Sequence, residues 1–127
     1  NASPESLEAG LRLLKNLFSD RKLLLVLGSM LELGSVCVAK HREVAHLILE
    51  LFEESIQIGR LSLITVGEEA QEIANEVLQH DFPCASVKYF STSIEAKSFI
   101  QDLKKDHQVI YFKGSKSIGL QQIFGQP

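Results

Sequence analysis

The fold is decided by the apolar run Leu23-Leu24-Leu25-Val26-Leu27, which ends at Gly28. No polar residue interrupts the run, so it predicts a strand that is covered on both faces, as parallel strands are. Ahead of it, Ser3-Pro4-Glu5 predicts the start of a helix, because serine caps well and proline and an acid suit the first turn. The chain therefore opens with a helix followed by a buried strand.

The alternation of helices and strands continues to the end of the chain. Further strands are predicted at 61–66, 85–90 and 109–112. Helices fall between them, and the one after the first strand has an apolar face made of Val44, Leu47, Ile48, Leu51 and Phe52. This order implies βαβ units with right-handed crossovers. We therefore expect one α/β domain over residues 1–127, a three-layer Rossmann-like arrangement with a mainly parallel sheet.

Composition excludes several classes of protein. The 127 residues are 45% hydrophobic and 23% charged, which is ordinary for one globular domain. The formal charge of −3 lacks the basic excess of a nucleic-acid-binding module. We expect no membrane insertion and no secretory leader, because the longest apolar run is far too short. Cys37 and Cys84 are isolated and the histidines lack metal-ligand spacing, so we expect a reduced compartment and no metal site.

Glycines follow three of the four predicted strands, namely Gly28, Gly67 and Gly114. Ligands of open parallel sheets bind outside the carboxyl ends of the strands. Glycine at such a position lets the backbone approach a ligand closely or turn with positive φ. The pattern predicts a ligand-binding crest at this edge, although ordinary strand-to-helix turns would give the same residues.

The segment Lys113-Gly114-Ser115-Lys116-Ser117-Ile118-Gly119 has the ingredients of an anion site. It joins two lysines and two hydroxyls to backbone amides at the start of a short terminal helix, predicted near Ser117. Its Gly-x4-Gly spacing imitates a phosphate loop, but Leu120-Gln121 stands where that loop needs lysine and serine or threonine. We expect residues 113–117 to bind a carboxylate or a distant phosphate without nucleotide hydrolysis. A solvated basic turn is the alternative.

The loop Gly28-Ser29-Met30-Leu31-Glu32-Leu33-Gly34 is a second candidate site. It does not fit the dinucleotide fingerprint, and its apolar residues either cap the core or face a ligand. Gly28, Ser29 and Glu32 are candidate contacts, with Glu32 either orienting a ligand or facing water. No nucleophile–base order or paired carboxylates are evident, so the residues alone predict a binding domain without a catalytic centre.

Three segments, in the same order and at similar distances, together resemble the carboxyl-terminal domain of the Mur ligases. They are Asn1-Ala2-Ser3-Pro4-Glu5-Ser6, Leu27–Gly34 followed by His41-Arg42-Glu43-Val44, and Lys113–Leu120. The resemblance covers nearly the whole chain. It implies a three-domain enzyme in which the first domain holds a UDP-sugar peptide and the second carries the phosphate loop and Mg²⁺. The third domain, which this chain resembles, closes over the site.

Within the family the resemblance is strongest to members that add D-alanyl-D-alanine to UDP-N-acetylmuramoyl-tripeptide. It implies an ATP-dependent ligase of the cytoplasm that serves peptidoglycan synthesis, and thereby cell shape and division. The isolated chain should be inactive, since the sites need the missing central domain. Two alternatives stay open. One is a related ligase, such as one adding a diamino acid or glutamates to folate, and the other is a non-catalytic module that binds a nucleotide or a partner protein.

The resemblance also implies roles for single residues. Asn1 matches the hinge with the central domain and should lie near the adenine or ribose of ATP. Ser29 stands where the family usually has aspartate, and Lys116 takes a usual arginine position, keeping the charge but not the bidentate fork. Residues 113–117 should lie near the dipeptide carboxylate or a phosphate, and His41 should be structural.

Overall fold

The computed structural model describes residues 2–124, so Asn1 lies outside the described residues. Helices and strands alternate in the predicted order. The strands are β1 Leu23–Gly28, β2 Leu61–Val66, β3 Val87–Phe90 and β4 Val109–Lys113. The helices are α1 Pro4–Phe18, α2 Cys37–Leu51, α3 Glu53–Gln57, α4 Gln71–Leu78, α5 Ser93–Leu103 and α6 Leu120–Ile123.

The sheet is parallel throughout the described residues and has the order β3-β2-β1-β4. β1 is central, and all six of its residues are buried. Leu23, Leu25 and Leu27 join a core with α1, α2 and α4, whereas Leu24 and Val26 join a second core with α5 and α6. The predicted three-layer α/β architecture is confirmed, because side chains alternate between the two faces of a strand and both faces are covered.

The helix boundaries differ from the predictions at two places. A separate helix, α3, follows α2 because the buried Phe52 leaves the helical conformation, with φ −114° and ψ 27°. The terminal helix begins at Leu120, not near Ser117, because Gly119 at φ +82° separates it from a 3₁₀ turn at 116–118. None of the helices found within residues 2–124 is both long and apolar enough to cross a bilayer.

Tyr111 links β4 to α1. Its hydroxyl occupies the space beside Gly10, where a Cβ atom would collide with it. Burial of the ring raises the pKa of Tyr111 above its ordinary value. The folded chain therefore favours the neutral phenol, and the resulting stability is complete below the unfolded pKa of about 10 and is lost as the pH rises from there through the raised folded pKa.

We expect Tyr111→Phe to reduce the alkaline loss of stability while changing stability near neutral pH little. Urea unfolding at about pH 7 and about pH 10.5 measures both, since phenylalanine cannot ionise in the unfolded chain. Tyr89, whose pKa burial also raises, keeps part of the alkaline loss in place. An unchanged difference between the two pH values would contradict the assignment to Tyr111.

Candidate functional site

The three strand-end glycines lie together at the carboxyl edge of the sheet, as predicted. Leu27 pairs with Lys113, so the next residues, Gly28 and Gly114, face each other across two strands. A Cβ atom on Gly114 would lie 2.8 Å from the Gly28 Cα. Gly67 has φ +108°, and a Cβ atom there would collide with the Ser29 hydroxyl. Each glycine thus permits close packing of the chain at this edge.

Ile118 covers two of these glycines. Its Cγ2 and Cδ1 atoms lie 3.1 and 3.3 Å from where Cβ atoms of Gly28 and Gly67 would stand. The predicted crest is therefore filled by the protein's own side chain. The exposed surface at this edge is formed by the loops that follow the strands.

Ser29 holds three of these loops together. Its backbone N–H donates to the Val66 carbonyl at 3.0 Å, and its own carbonyl accepts from the Ser115 N–H at 3.0 Å. Its hydroxyl accepts from the Ala70 N–H at 3.0 Å. The residue is completely buried. Ser29 was a candidate ligand contact, and in this structure its side chain joins loops beneath the surface.

His41 supports the loop that follows β1. Its ring is fully buried, and Nε2 accepts a hydrogen bond from the Met30 N–H at 3.0 Å. Nδ1 lies 2.8 Å from the Cys37 carbonyl, which can only accept, so Nδ1 carries the proton. The predicted structural role of His41 is confirmed. With Met30 anchored, the loop turns outward through Glu32 at φ +64°, which is exposed.

A groove of about 450 Å³ opens between three segments that are distant in sequence. Its walls come from the amino-terminal segment, from the loop after β1 and from the segment after β4. The lining residues are Ala2, Ser3, Leu31, Glu32, Leu33, Ser115, Lys116 and Ser117. The structure thus brings Glu32, Ser115, Lys116 and Ser117 together, four of the candidate residues.

Hydrogen bonds fix two walls of the groove. The Leu31 N–H donates to Ser115 Oγ at 2.9 Å, which ties the loop after β1 to the segment after β4. At the amino-terminal wall, Ser3 Oγ accepts from the Ser6 N–H at 3.1 Å, while Ser6 Oγ accepts from the Ser3 N–H at 3.0 Å. This capping box holds the start of α1, as the Ser3-Pro4-Glu5 pattern predicts.

Lys113 lies outside this groove. With Gly114 and Gln121 it lines a neighbouring cavity of about 200 Å³, which shares Ser115 with the groove. The basic segment is therefore divided, with Lys116 on one side and Lys113 on the other. Since α6 has only four residues and starts beyond the segment, an anion would be held by side chains rather than by a helix start.

The amino-terminal wall was missed by the sequence interpretation, although a signal was present. α1 precedes β1 and packs against it, so it runs antiparallel to the strand and starts at the carboxyl edge of the sheet. Ala2 and Ser3 must then lie beside the loops that follow the strands. The order of the elements in the chain was enough to predict this placement.

A parallel α/β sheet with a polar groove at its carboxyl edge is the architecture of Rossmann-like domains, whose ligands bind at that edge. The chain belongs to the family described as "Mur ligase, glutamate ligase domain", which matches residues 1–116. This finding confirms the family resemblance drawn from the three sequence segments.

Two curated relatives bear the name UDP-N-acetylmuramoyl-tripeptide–D-alanyl-D-alanine ligase. The one from Bacillus subtilis (strain 168) is 32% identical over 126 residues, and the one from Rickettsia prowazekii (strain Madrid E) is 32% identical over 123. Each match covers 97% of this chain but 25% of the relative, so the chain spans about a quarter of their length.

A similar fold occurs in a crystal structure of MurF from Acinetobacter baumannii. The TM-score is 0.72 with 23% sequence identity, and the match covers 98% of this chain and 25% of that one. A second crystal structure of the same protein gives a TM-score of 0.70. The likeness supports the α/β architecture.

Proposed function

We propose that this chain is the carboxyl-terminal domain of an ATP-dependent amide ligase that adds D-alanyl-D-alanine to UDP-N-acetylmuramoyl-tripeptide. The observation that carries the proposal is the groove, which gathers Lys116, two serines and Glu32 from separate segments at one edge. Family membership and the names of the two curated relatives support the same reaction. The product would serve peptidoglycan synthesis in the cytoplasm.

The chemistry of the groove suits a small zwitterion with methyl groups. The exposed Lys116 ammonium and the hydroxyls of Ser115 and Ser117 would bind the dipeptide carboxylate or a phosphate next to it. Glu32 could accept a hydrogen bond from the dipeptide amine before that amine attacks. Ala2, Leu31 and Leu33 offer apolar surface to the alanine methyl groups.

ATP and Mg²⁺ would be held mainly by a central domain that is not in this chain. Transfer of the γ-phosphate of ATP to the tripeptide carboxylate would give an acyl phosphate and ADP, and attack by the dipeptide amine would form the amide and release phosphate. The groove offers one lysine and one carboxylate, which fits a single anionic group better than a metal–triphosphate. Domain closure would exclude water and align the reactants, with Asn1 at the hinge near ATP and Gly28, Gly67 and Lys113 nearby.

We expect Lys116→Ala in the intact ligase to raise the KM for D-alanyl-D-alanine about 10-fold or more. A hydrogen bond to a charged group contributes about 1.5–3 kcal/mol, which corresponds to at least such a change. Steady-state phosphate release with varied dipeptide measures it. Lys105→Ala is the matched control, because Lys105 is exposed, does not line the groove and pairs with Asp102 at 3.9 Å.

An unchanged dipeptide KM in Lys116→Ala would refute the carboxylate assignment. If Lys113→Ala alone raises the KM, the neighbouring cavity is the binding site instead. Two further results would contradict the wider proposal. One is ligase activity of the isolated 127-residue chain, and the other is a reading frame without a Gly-x4-Gly-Lys-Ser/Thr loop upstream, which would favour a non-catalytic module.

A further inference from the structure

Two histidines and a glutamate meet where α2 packs against α4. His46 lies on α2, Glu76 lies on α4, and His80 follows the end of α4. Glu76 and His80 are four residues apart, so their side chains extend in the same direction. A ligand atom from each of the three side chains lies within 4.8 Å of the others. We propose that His46, Glu76 and His80 form a binding site for a divalent transition-metal ion of the zinc class.

The distances are close to those of a tetrahedral site. His46 Nε2 and His80 Nε2 lie 2.8 and 3.3 Å from the same carboxylate oxygen, Glu76 Oε2. Metal–ligand bonds of about 2.0–2.1 Å place tetrahedral ligand atoms about 3.3 Å apart. Because a carboxylate only accepts, both imidazoles donate Nε2–H protons to it in the metal-free chain. A metal ion would take the place of these two protons after small side-chain rotations.

The donor set selects the class of ion. Two imidazole nitrogens and one carboxylate oxygen suit zinc, nickel or copper, whereas magnesium prefers an all-oxygen octahedral shell. The side chains of His46 and His80 are 55% and 47% exposed, so water can complete the coordination. A site of three protein ligands and one water is a common zinc arrangement.

The surrounding charges favour a cation despite one neighbouring arginine. Arg42 pairs with Glu72 at 3.2 Å, and its Nε lies 3.9 Å from the other Glu76 oxygen, Oε1. Glu76 Oε2 is therefore left to the two histidines. Beside them runs a groove of about 440 Å³ that three further carboxylates line, those of Glu50, Glu53 and Asp81. Their negative potential attracts a cation.

The proposed metal site is separate from the ligand groove. α4 follows β2 and packs back along the sheet, so its end near His80 lies toward the edge opposite the groove. Bound metal would join α2 to α4 and stabilise the native state by mass action. An experiment can therefore refute the proposed metal site without contradicting the proposed ligase function.

Isothermal titration of ZnCl₂ into the 127-residue chain tests the proposal. A Cys84→Ser background removes an exposed thiol that could compete for zinc. We expect one ion per chain, a higher Tm with zinc, and no effect of MgCl₂ at the same concentration. His46→Gln and His80→Gln should each weaken zinc binding about 10-fold or more. Replacing even a residue that only hydrogen-bonds to a metal ligand lowers metal affinity by about that factor.

Glu43→Gln is the matched control, because Glu43 also lies on α2 but pairs with Lys40 at 3.5 Å and lines a different groove, beside α1. It should leave zinc affinity unchanged. Absence of zinc binding, or wild-type zinc affinity in both histidine variants, would overturn the proposal. Equal binding of magnesium would do so as well, since it would indicate the acidic groove alone.

Discussion

Replacing Gly114 with alanine is expected to lower the free energy of unfolding by about 3 kcal/mol, the upper range for an overpacked site. The new Cβ atom would lie 2.8, 3.1 and 3.2 Å from the Cα, N and C atoms of Gly28. These are backbone atoms of the central strand β1, so no side-chain rotation can relieve the collision. β1 and β4 would have to separate where the loops of the groove begin.

Gly59→Ala is the matched control for this substitution. Gly59 has φ +73°, but a Cβ atom there would meet nothing within 4 Å. Its replacement should cost only the conformational strain of roughly 1–2 kcal/mol. Urea unfolding of both variants separates the two effects. If Gly114→Ala is the less destabilising, the close approach of the two strands is not what requires glycine there.

The layered fold was predictable because a strand made wholly of apolar residues is stable only when both of its faces are buried. The run Leu23–Leu27 has no polar residue, so it required cover on both faces, and the two cores supply that cover. The order β3-β2-β1-β4 was not predictable in the same way. The strand order depends on which strands pair across long crossovers. No local sequence pattern near β4 indicates that β4 pairs with β1.

The candidate site was predictable in part, and the predictions that were wrong have physical causes. Residues at strand ends were correctly expected to meet, because parallel strands share one carboxyl edge. The division of Lys113 from Lys116 depends on the turn at 116–118, which the sequence did not reveal. The short α6 also depends on Gly119 in the left-handed region, and one glycine in a polar segment does not specify its own φ.

The cluster of His46, Glu76 and His80 shows the limit of spacing rules. Spacing in the sequence can identify metal ligands only when they lie on the same helix, strand or turn. His41 and His46 do not have such a spacing. His46 and Glu76 are 30 residues apart and meet only because α2 packs against α4. The expectation of no metal site rested on spacing within single segments, so it could not have detected this cluster.

Replacing His41 with leucine is expected to lower the free energy of unfolding by about 2 kcal/mol. Leucine fills similar space but cannot accept the hydrogen bond of the Met30 N–H, which is buried with it. An unsatisfied buried donor costs about 1–3 kcal/mol. His41→Gln should be milder, because its amide oxygen can accept from the same N–H.

His41→Leu should also change the shape of the groove, because Met30 directly precedes the wall residues Leu31 and Glu32. Hydrogen exchange at the Met30 amide is the direct measurement, and its protection should fall furthest in His41→Leu. Loss of the hydrogen bond to His41 frees the loop after β1 at Met30. The next residue, Leu31, is still held by the hydrogen bond from its N–H to Ser115 Oγ. Wild-type stability and protection in His41→Leu would mean that the loop holds its shape without the histidine. The buried hydrogen bond between His41 and the Met30 N–H would then have no part in shaping the groove.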